Sequence, residues 1–340
     1  MAIEGATMRR REVLLGLLSA GAAGASGALA SRRALAQQQK YPERPIRLVI
    51  PFPPGGVNDA IGRPWADRMK SLLGTVAVEN QGGAGGSIGA AAVARASADG
   101  YTLLLGGGGS QIINPLAATR SPYDPVKDFE SIAIVALTTM AIAVHPSLPV
   151  HGLGELIAYA KANPGKLSYG SAGVGSFNHL AGELLKSLAG TPDIVHVPYK
   201  GAAPALTDAI SGHIPLVVAN ATGQVIDLHR SGKLRIVAVT SAKRLVALPD
   251  VATAVEAGVP GLVAQNFAAL FAPAGTPQPI VAHIEQATLK ALADPEFRDM
   301  LVASGFEPQR DLGADETRRF VQEELARWTP VIRAIGLKTD

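Results

Sequence analysis

Residues 131–148 read SIAIVALTTMAIAVHPSL, an apolar, β-prone run far longer than one ordinary strand of about five or six residues. Such a run has room to leave one sheet and enter another. A second stretch, LRIVAVTSAKR at 234–244, is a strand that ends in a polar segment. Together they are expected to carry the chain from one domain to another and back, which makes 138–145 and 234–240 hinge strands. Domain 1 is then discontinuous, 41–138 plus 241–340, and domain 2 is the insert at 146–233. The alternative is one large sheet.

On either side of these runs, short apolar segments alternate with helical patterns. IRLVI, TVAVEN, YTLLLG, LSYGS, DIVHVP, IPLVVA and NFAALFAP read as strands, and residues 153–163, 179–189 and 203–211 as helices. Alternation of this kind predicts an α/β fold with mostly parallel sheets whose strands are buried on both faces.

The N-terminus has a different composition. Arg9, Arg10 and Arg11 precede the apolar stretch EVLLGLLSAGAAGASGALA, and Ala34-Leu35-Ala36 supplies an A-x-A cleavage signal. Paired arginines before the apolar stretch, with Arg32 and Arg33 beside the cleavage site, resemble a twin-arginine export signal. Residues 1–36 are therefore expected to be a cleaved signal peptide, and Met8 is an alternative start. The apolar run is diluted by Gly, Ser and Ala, whereas a spanning helix wants about 20 strongly apolar residues. Export without an anchor predicts a soluble protein in the periplasm.

Removing that segment changes the electrostatics. It holds five arginines and two glutamates, so the 31 basic and 28 acidic side chains of the whole chain fall to 26 of each. A neutral mature chain lacks the basic field that nucleic acid binding uses. With no cysteine there are no disulfides, thiolate metal sites, cysteine nucleophiles or lipidated cysteine anchors.

Two corners then stand out. In RLVIPFPPGGVNDAIGR, residues 47–63, a strand runs into Pro53, Pro54, Gly55 and Gly56 and then into a helix expected to begin near Asn58, with Ile61, Trp65, Met69 and Leu72 facing a core. The prolines stiffen the exit, and the glycines allow a tight turn and close approach, with a positive φ expected at Gly56. A helix N-terminus offers unpaired N–H groups and a partial positive charge to an anion. Asn58 or Asp59 could instead simply cap the helix. The second corner, SYGSAGVGSFNHLAGELL at 168–185, repeats the plan with Ser176 as N-cap and Leu180, Leu184 and Leu188 inward. Both corners are expected at the C-terminal ends of parallel strands, where open α/β sheets bind ligands. If the hinge reading holds, they face each other across a cleft suited to carboxylates.

YPERPIRLVIPFPPGG, GGAGGSIGA, PYDPVKDFESIA, ANPGKLSYGSAGVGSFNHLAGE, VPYKGAAPALTDAISG, SGKLRIVAVTSAKR and LFAPAGTP occur in order along the mature chain. In these motifs the chain resembles the Bug, or TctC-like, solute receptors of tripartite tricarboxylate transporters. The resemblance implies a two-domain periplasmic binding protein of the hinged, type II-like kind, with its ligand cleft between the domains. It also implies an organic carboxylate ligand, a two-component membrane permease as partner, a monomer, no cofactor and no catalysis.

By the same resemblance, Phe52, Gly55, Gly56 and Asp59 occupy the corner where backbone groups and ordered waters approach one carboxylate. Ser171, Gly173, Ser176 and His179 occupy the facing corner, and Ser110 lies in a loop that adds a polar contact. His179, on the first helical turn beside Leu180, reads more readily as a support of its loop than as a ligand contact, and Lys200 is either a carboxylate partner or a solvated lysine. Where relatives commonly carry an aspartate this chain has Ala219 and Asn220, and near an aromatic position it has Phe267 followed by Ala268 and Ala269. Smaller, uncharged walls would favour a bulkier or more apolar carboxylate.

A sensory receptor of the same fold, coupled to a signalling partner, is the alternative in kind. A hydrolase built on Ser171, Ser176, His179 and Glu183 fits less well, because neither serine sits in a nucleophile elbow. GGAGGSIG and GGGGSQ miss the spacing of a dinucleotide loop, and no histidine spacing suggests a metal.

Overall fold

The computed structural model describes residues 41–338, and the body considered below begins at Arg44. The expected signal at 1–36 lies outside the described residues. Among the described residues, no helix is long and apolar enough to cross a membrane.

The long run is a single strand of 16 residues, β4 (Phe129–Val144) in chain order. Before it come β1 (Ile46–Ile50), α1 (Val57–Met69), β2 (Val76–Asn80), α2 (Ser87–Ala94), β3 (Thr102–Gly107) and the short α3 (Asn114–Ala117). After it come α4 (Leu153–Ala162), β5 (Ser168–Ser171), α5 (Phe177–Ala189), β6 (Val195–Pro198), α6 (Ala202–Ile210), β7 (Leu216–Asn220), α7 (Gly223–Arg230) and β8 (Arg235–Val239). The chain closes with β9 (Gln265–Pro273), α8 (Gln278–Ala293), α9 (Pro295–Ala303), β10 (Glu307–Pro308) and α10 (Ala314–Ala334).

The first part of β4 pairs with β9 as far as Thr139↔Gln265 and with β10 at Ala136 and Leu137. From Met140 onward its partners are β7 and β8. One strand thus serves two sheets.

The expectation of mostly parallel sheets needs correction at their centres. β1 is parallel to β2 and β3, and β5 is parallel to β6 and β7. β9, however, runs antiparallel to β3 and β4, and β4 runs antiparallel to β7 and β8. The reason is connectivity: a strand that delivers the chain from one sheet to the other arrives with its direction reversed. The second sheet is a parallel set with β4 reversed, and the first is a parallel set with β9 and the two-residue β10 reversed.

The helices cover these sheets with apolar faces. Ile61, Trp65 and Met69 of α1 are fully buried, and the Trp65 indole N–H donates to the Thr288 hydroxyl of α8 at 3.3 Å. Gly62 lets α1 lie close to the sheet, since a Cβ there would come within 2.7 Å of Ile50 and 2.8 Å of Leu105. Leu72 falls beyond the helix end in a turn and is only half-buried. Leu188 is 45% exposed rather than inward, because steps of four residues precess around a helix and Leu185 takes the buried place. Leu188 instead lies against Gly261.

Candidate functional site: two glycine corners joined by the end of β3

The first corner leaves β1 at its C-terminal end. Gly55 has φ +79°, which a side chain would strain, whereas Gly56 is extended at φ −79° and ψ 174°. The expected positive φ therefore belongs to Gly55. Its N–H is also spent, donating to Asp59 Oδ2 at 2.9 Å. Both carboxylate oxygens of Asp59 accept from Arg63 Nε at 3.0 Å, and Oδ1 accepts from Asn80 Nδ2 at 2.9 Å. The same Asn80 amide donates to the Phe52 carbonyl. Burial pushes the Asp59 carboxyl up, but the hydrogen bonds from Arg63, Gly55 and Asn80 outweigh it and hold the group below the usual carboxylate range. Asp59 is thus a charged brace for the turn.

The N–H groups left over belong to the start of the helix. Intrahelical bonding begins with Ala60 N–H to Gly56 C=O, and among the described residues the N–H groups of Gly56, Val57 and Asn58 have no acceptor. The Asn58 side chain reaches the other way, donating to the carbonyls of Leu105 and Gly106 at 3.0 and 3.3 Å.

That contact leads to the end of β3. Gly108 N–H donates to Asn266 Oδ1 at 2.9 Å, and the same oxygen accepts from Phe267 N–H. Ser110 is fully buried with its hydroxyl folded back, accepting from Gly107 N–H at 3.1 Å and donating to Gly107 C=O at 3.3 Å. The Phe52 ring lies on a bed of glycine, since Cβ atoms at Gly86 and Gly109 would sit 3.1 and 3.2 Å from its tip.

The second corner meets β3 through Phe177. A Cβ on Gly108 would lie 2.6 Å from the Phe177 ring, which also makes an edge-to-face pair with Trp328 at 5.2 Å. Ser176 caps α5 as the sequence suggests, its hydroxyl accepting from His179 N–H at 3.2 Å and donating to Gly173 C=O at 2.7 Å. Gly173 has φ +121°, and a Cβ there would press on the Tyr199 carbonyl at 2.9 Å. Ser171 is fully buried, and its hydroxyl lies 2.7 Å from His196 Nε2 and accepts from Gly173 N–H at 3.1 Å.

His179 is buried against its own loop, with Nδ1 accepting from Gly175 N–H at 3.4 Å and its ring stacked on His196 at 4.0 Å. Burial lowers its basicity despite the nearby Glu183. Asn220 ends β7 beside Met140, and its Oδ1 is buried with no partner among the described residues. Lys200 is exposed next to the second loop.

Sequence reasoning missed Asn58, Phe177, His196 and Asn266. Only the helix-start position of Phe177 and Asn58 hinted at them; the other two are brought in by sheet register. Of the expected pocket walls, Ala219, Ala268 and Ala269 are buried in the sheets, and the Phe267 ring packs edge-on against Phe320 at 5.3 Å.

Two helix N-termini above the C-terminal ends of parallel strands, in sheets strung on a shared strand, define the fold of the periplasmic binding proteins. Residues 61–337 match the family described as tripartite tricarboxylate transporter family receptor, and the chain belongs to that family. It is 36% identical over 300 residues to Protein BugT of Bordetella pertussis (strain Tohama I), covering 88% of this chain and 91% of BugT. Among solved structures it resembles R. palustris Rpa4515 with adipate, at 35% identity and TM-score 0.79, covering 88% of this chain and 99% of the other. It also resembles MatC (Rpa3494) from Rhodopseudomonas palustris with bound malate, at 32% identity and TM-score 0.76, covering 86% and 100%.

Proposed function

We propose that this chain is a periplasmic receptor that captures an organic carboxylate between its two corners and delivers it, as a monomer, to a membrane permease of the tripartite tricarboxylate type. The observation that carries the reading is the row of unpaired N–H groups at Gly56, Val57 and Asn58, opposite a helix that starts at Ser176. Asp59 is consumed by the protein itself, so the first corner offers an anion N–H groups rather than a competing charge. Adipate and malate in the two related structures support a carboxylate ligand. Closure rotates residues 41–138 plus 241–340 against 146–233, about 138–145 and 234–240.

A Ser–His pair invites an enzymatic reading, but Ser171 is fully buried and its oxygen already accepts the Gly173 N–H. A serine with no exposed surface gives an ester no access, which supports a binder that returns its ligand unchanged.

Native mass spectrometry of protein purified without refolding should find a retained organic acid. In a thermal-shift panel of mono-, di- and tricarboxylates, an acid at about 100 times its Kd adds about 2.7 kcal/mol of stability. Stabilisation by none of them, or turnover of an ester, rejects the reading. Export is tested separately: Arg10→Lys with Arg11→Lys should stop periplasmic accumulation and retain residues 1–36. Normal accumulation of that double variant rejects the twin-arginine route.

A further inference from the structure

His196 has no part in the carboxylate reading, yet it is held by two ring stacks and a hydrogen bond. It lies on β6, in parallel register with Tyr169 of β5. Its ring is stacked between Tyr169, at 4.9 Å and 27°, and His179, at 4.0 Å and 14°. In that sandwich Nε2 points at the Ser171 hydroxyl, 2.7 Å away.

The Ser171 hydroxyl stands at the centre of a small network. Its Oγ accepts the Gly173 N–H and lies 3.3 Å from Gly173 C=O, which also accepts from both the hydroxyl and the N–H of Ser176. His196 Nε2, at 2.7 Å, is its nearest partner, so one hydrogen bond joins the two side chains whichever of them donates. The groups facing the ring are His179, Glu183 and Lys186 from α5 and Tyr169 from β5, whose hydroxyl donates to Glu183 at 2.8 Å. Tyr199, beyond β6, is turned to Asp208. Burial, with the neighbouring His179, pushes His196 down to about 4, so the ring is neutral in any ordinary medium.

We propose that His196 is a positioning residue: by its hydrogen bond to the Ser171 hydroxyl it fixes the turn 173–176, and so aims the N–H groups at the start of α5 toward the carboxylate. This rests on the reading of that corner as a carboxylate site. Gly173 N–H follows Ser171, Ser176 follows Gly173, and the first turn of α5 follows Ser176, so one polar side chain on β6 sets the loop.

Three variants separate this from plain packing. His196→Phe keeps a ring in the stack and loses the hydrogen bond, His196→Gln keeps a group of similar reach that can donate or accept, and Ser171→Ala removes the partner. Two readouts are needed: amide hydrogen exchange in the ligand-free protein, and calorimetric titration with adipate and with malate. His196→Phe should speed exchange at Gly173 and Gly175 about tenfold and weaken acid binding about tenfold, the loss expected for one such bond. His196→Gln should recover both to within about threefold of wild type, and His196→Phe should add nothing in the Ser171→Ala background.

The proposal is overturned if His196→Phe leaves exchange unchanged. It is equally overturned if His196→Gln is as impaired as His196→Phe, or if His196→Phe costs the same without Ser171. If wild type binds neither acid nor any other carboxylate of the panel, the carboxylate reading fails and the proposal fails with it, whereas the exchange data still report whether His196 orders the turn.

Discussion

Replacing Gly108 by alanine puts a methyl where the end of β3 meets the start of α5. Its Cβ would lie 2.6 Å from Phe177 Cδ2, 2.9 Å from Cε2 and 2.8 Å from Asn266 Oδ1. Ordinary contact starts at 3.4 Å, so the ring must retreat by about 0.8 Å. It cannot simply swing aside, because it abuts Trp328, which is fully buried and anchored by its indole N–H to Glu324 at 2.8 Å. The first turn of α5 moves instead, and the N–H groups of the second corner move with it. A shift of that size takes a hydrogen bond from about 2.9 Å to beyond its useful range. Losing one charge-assisted bond, about 1.5–3 kcal/mol, weakens carboxylate binding by about ten- to a hundredfold. Overpacking itself should cost about 1–3 kcal/mol of stability. Calorimetry with the best acid of the panel reads the first effect and thermal denaturation the second. Trimming the ring in Gly108→Ala/Phe177→Leu should recover much of the affinity. If Gly108→Ala folds normally and binds within twofold of wild type, the contact between β3 and α5 does not position the site.

Other outcomes follow from the same geometry. Gly56→Val should fold, because a Cβ there meets only the Pro53 carbonyl at 3.5 Å, yet its methyls occupy the anion's place and two lost bonds weaken acid binding at least about a hundredfold; wild-type affinity in a folded variant sinks the first corner as a site. Asp59→Asn should lower stability by about 1–3 kcal/mol, read by urea denaturation, since the pair with the half-exposed Arg63 is lost and the new amide N–H₂ must face the donor of either Gly55 or Asn80; unchanged unfolding shows that the brace is dispensable. The lowered basicity of His179 and His196 makes stability fall as pH drops from about 6.5 toward 4, because the unfolded chain takes up protons that the folded pair refuses. Glu307 and Glu324, raised by burial, act in the opposite sense, so the test is the difference from His179→Gln/His196→Gln, whose curve should be flatter across that window. Parallel curves refute the assignment.

How far these features could be read from sequence depends on the distance over which each interaction acts. β4 is legible because only Thr138 and Thr139 interrupt the apolar residues 132–144 and no Gly or Pro bends them, and the Ser176 cap because a cap is decided within four residues. The positive φ was given to Gly56 rather than Gly55, since adjacent glycines are indistinguishable until the helix start is fixed. Asp59 reads as a lining residue from its neighbours alone; that it braces the turn depends on Asn80, which arrives with β2. His196 and Ser171 are 25 residues apart and meet only because β5 and β6 pair in one register. Asn266 reaches Gly108 only because β9 returns antiparallel beside β3.

The claim that this corner pair holds a carboxylate by its N–H groups is tested most directly by titrating wild-type protein with the best dicarboxylate of the panel, its monoamide and its diamide. An amide has the shape of the acid but not its charge, and its N–H₂ cannot accept the helix N–H groups. Affinity should fall by about tenfold or more at each replacement, with no measurable binding of the diamide at concentrations that saturate the acid. A diamide that binds as tightly as the diacid would show that the ligand is held by other groups, and that the glycine corners are only turns that begin helices.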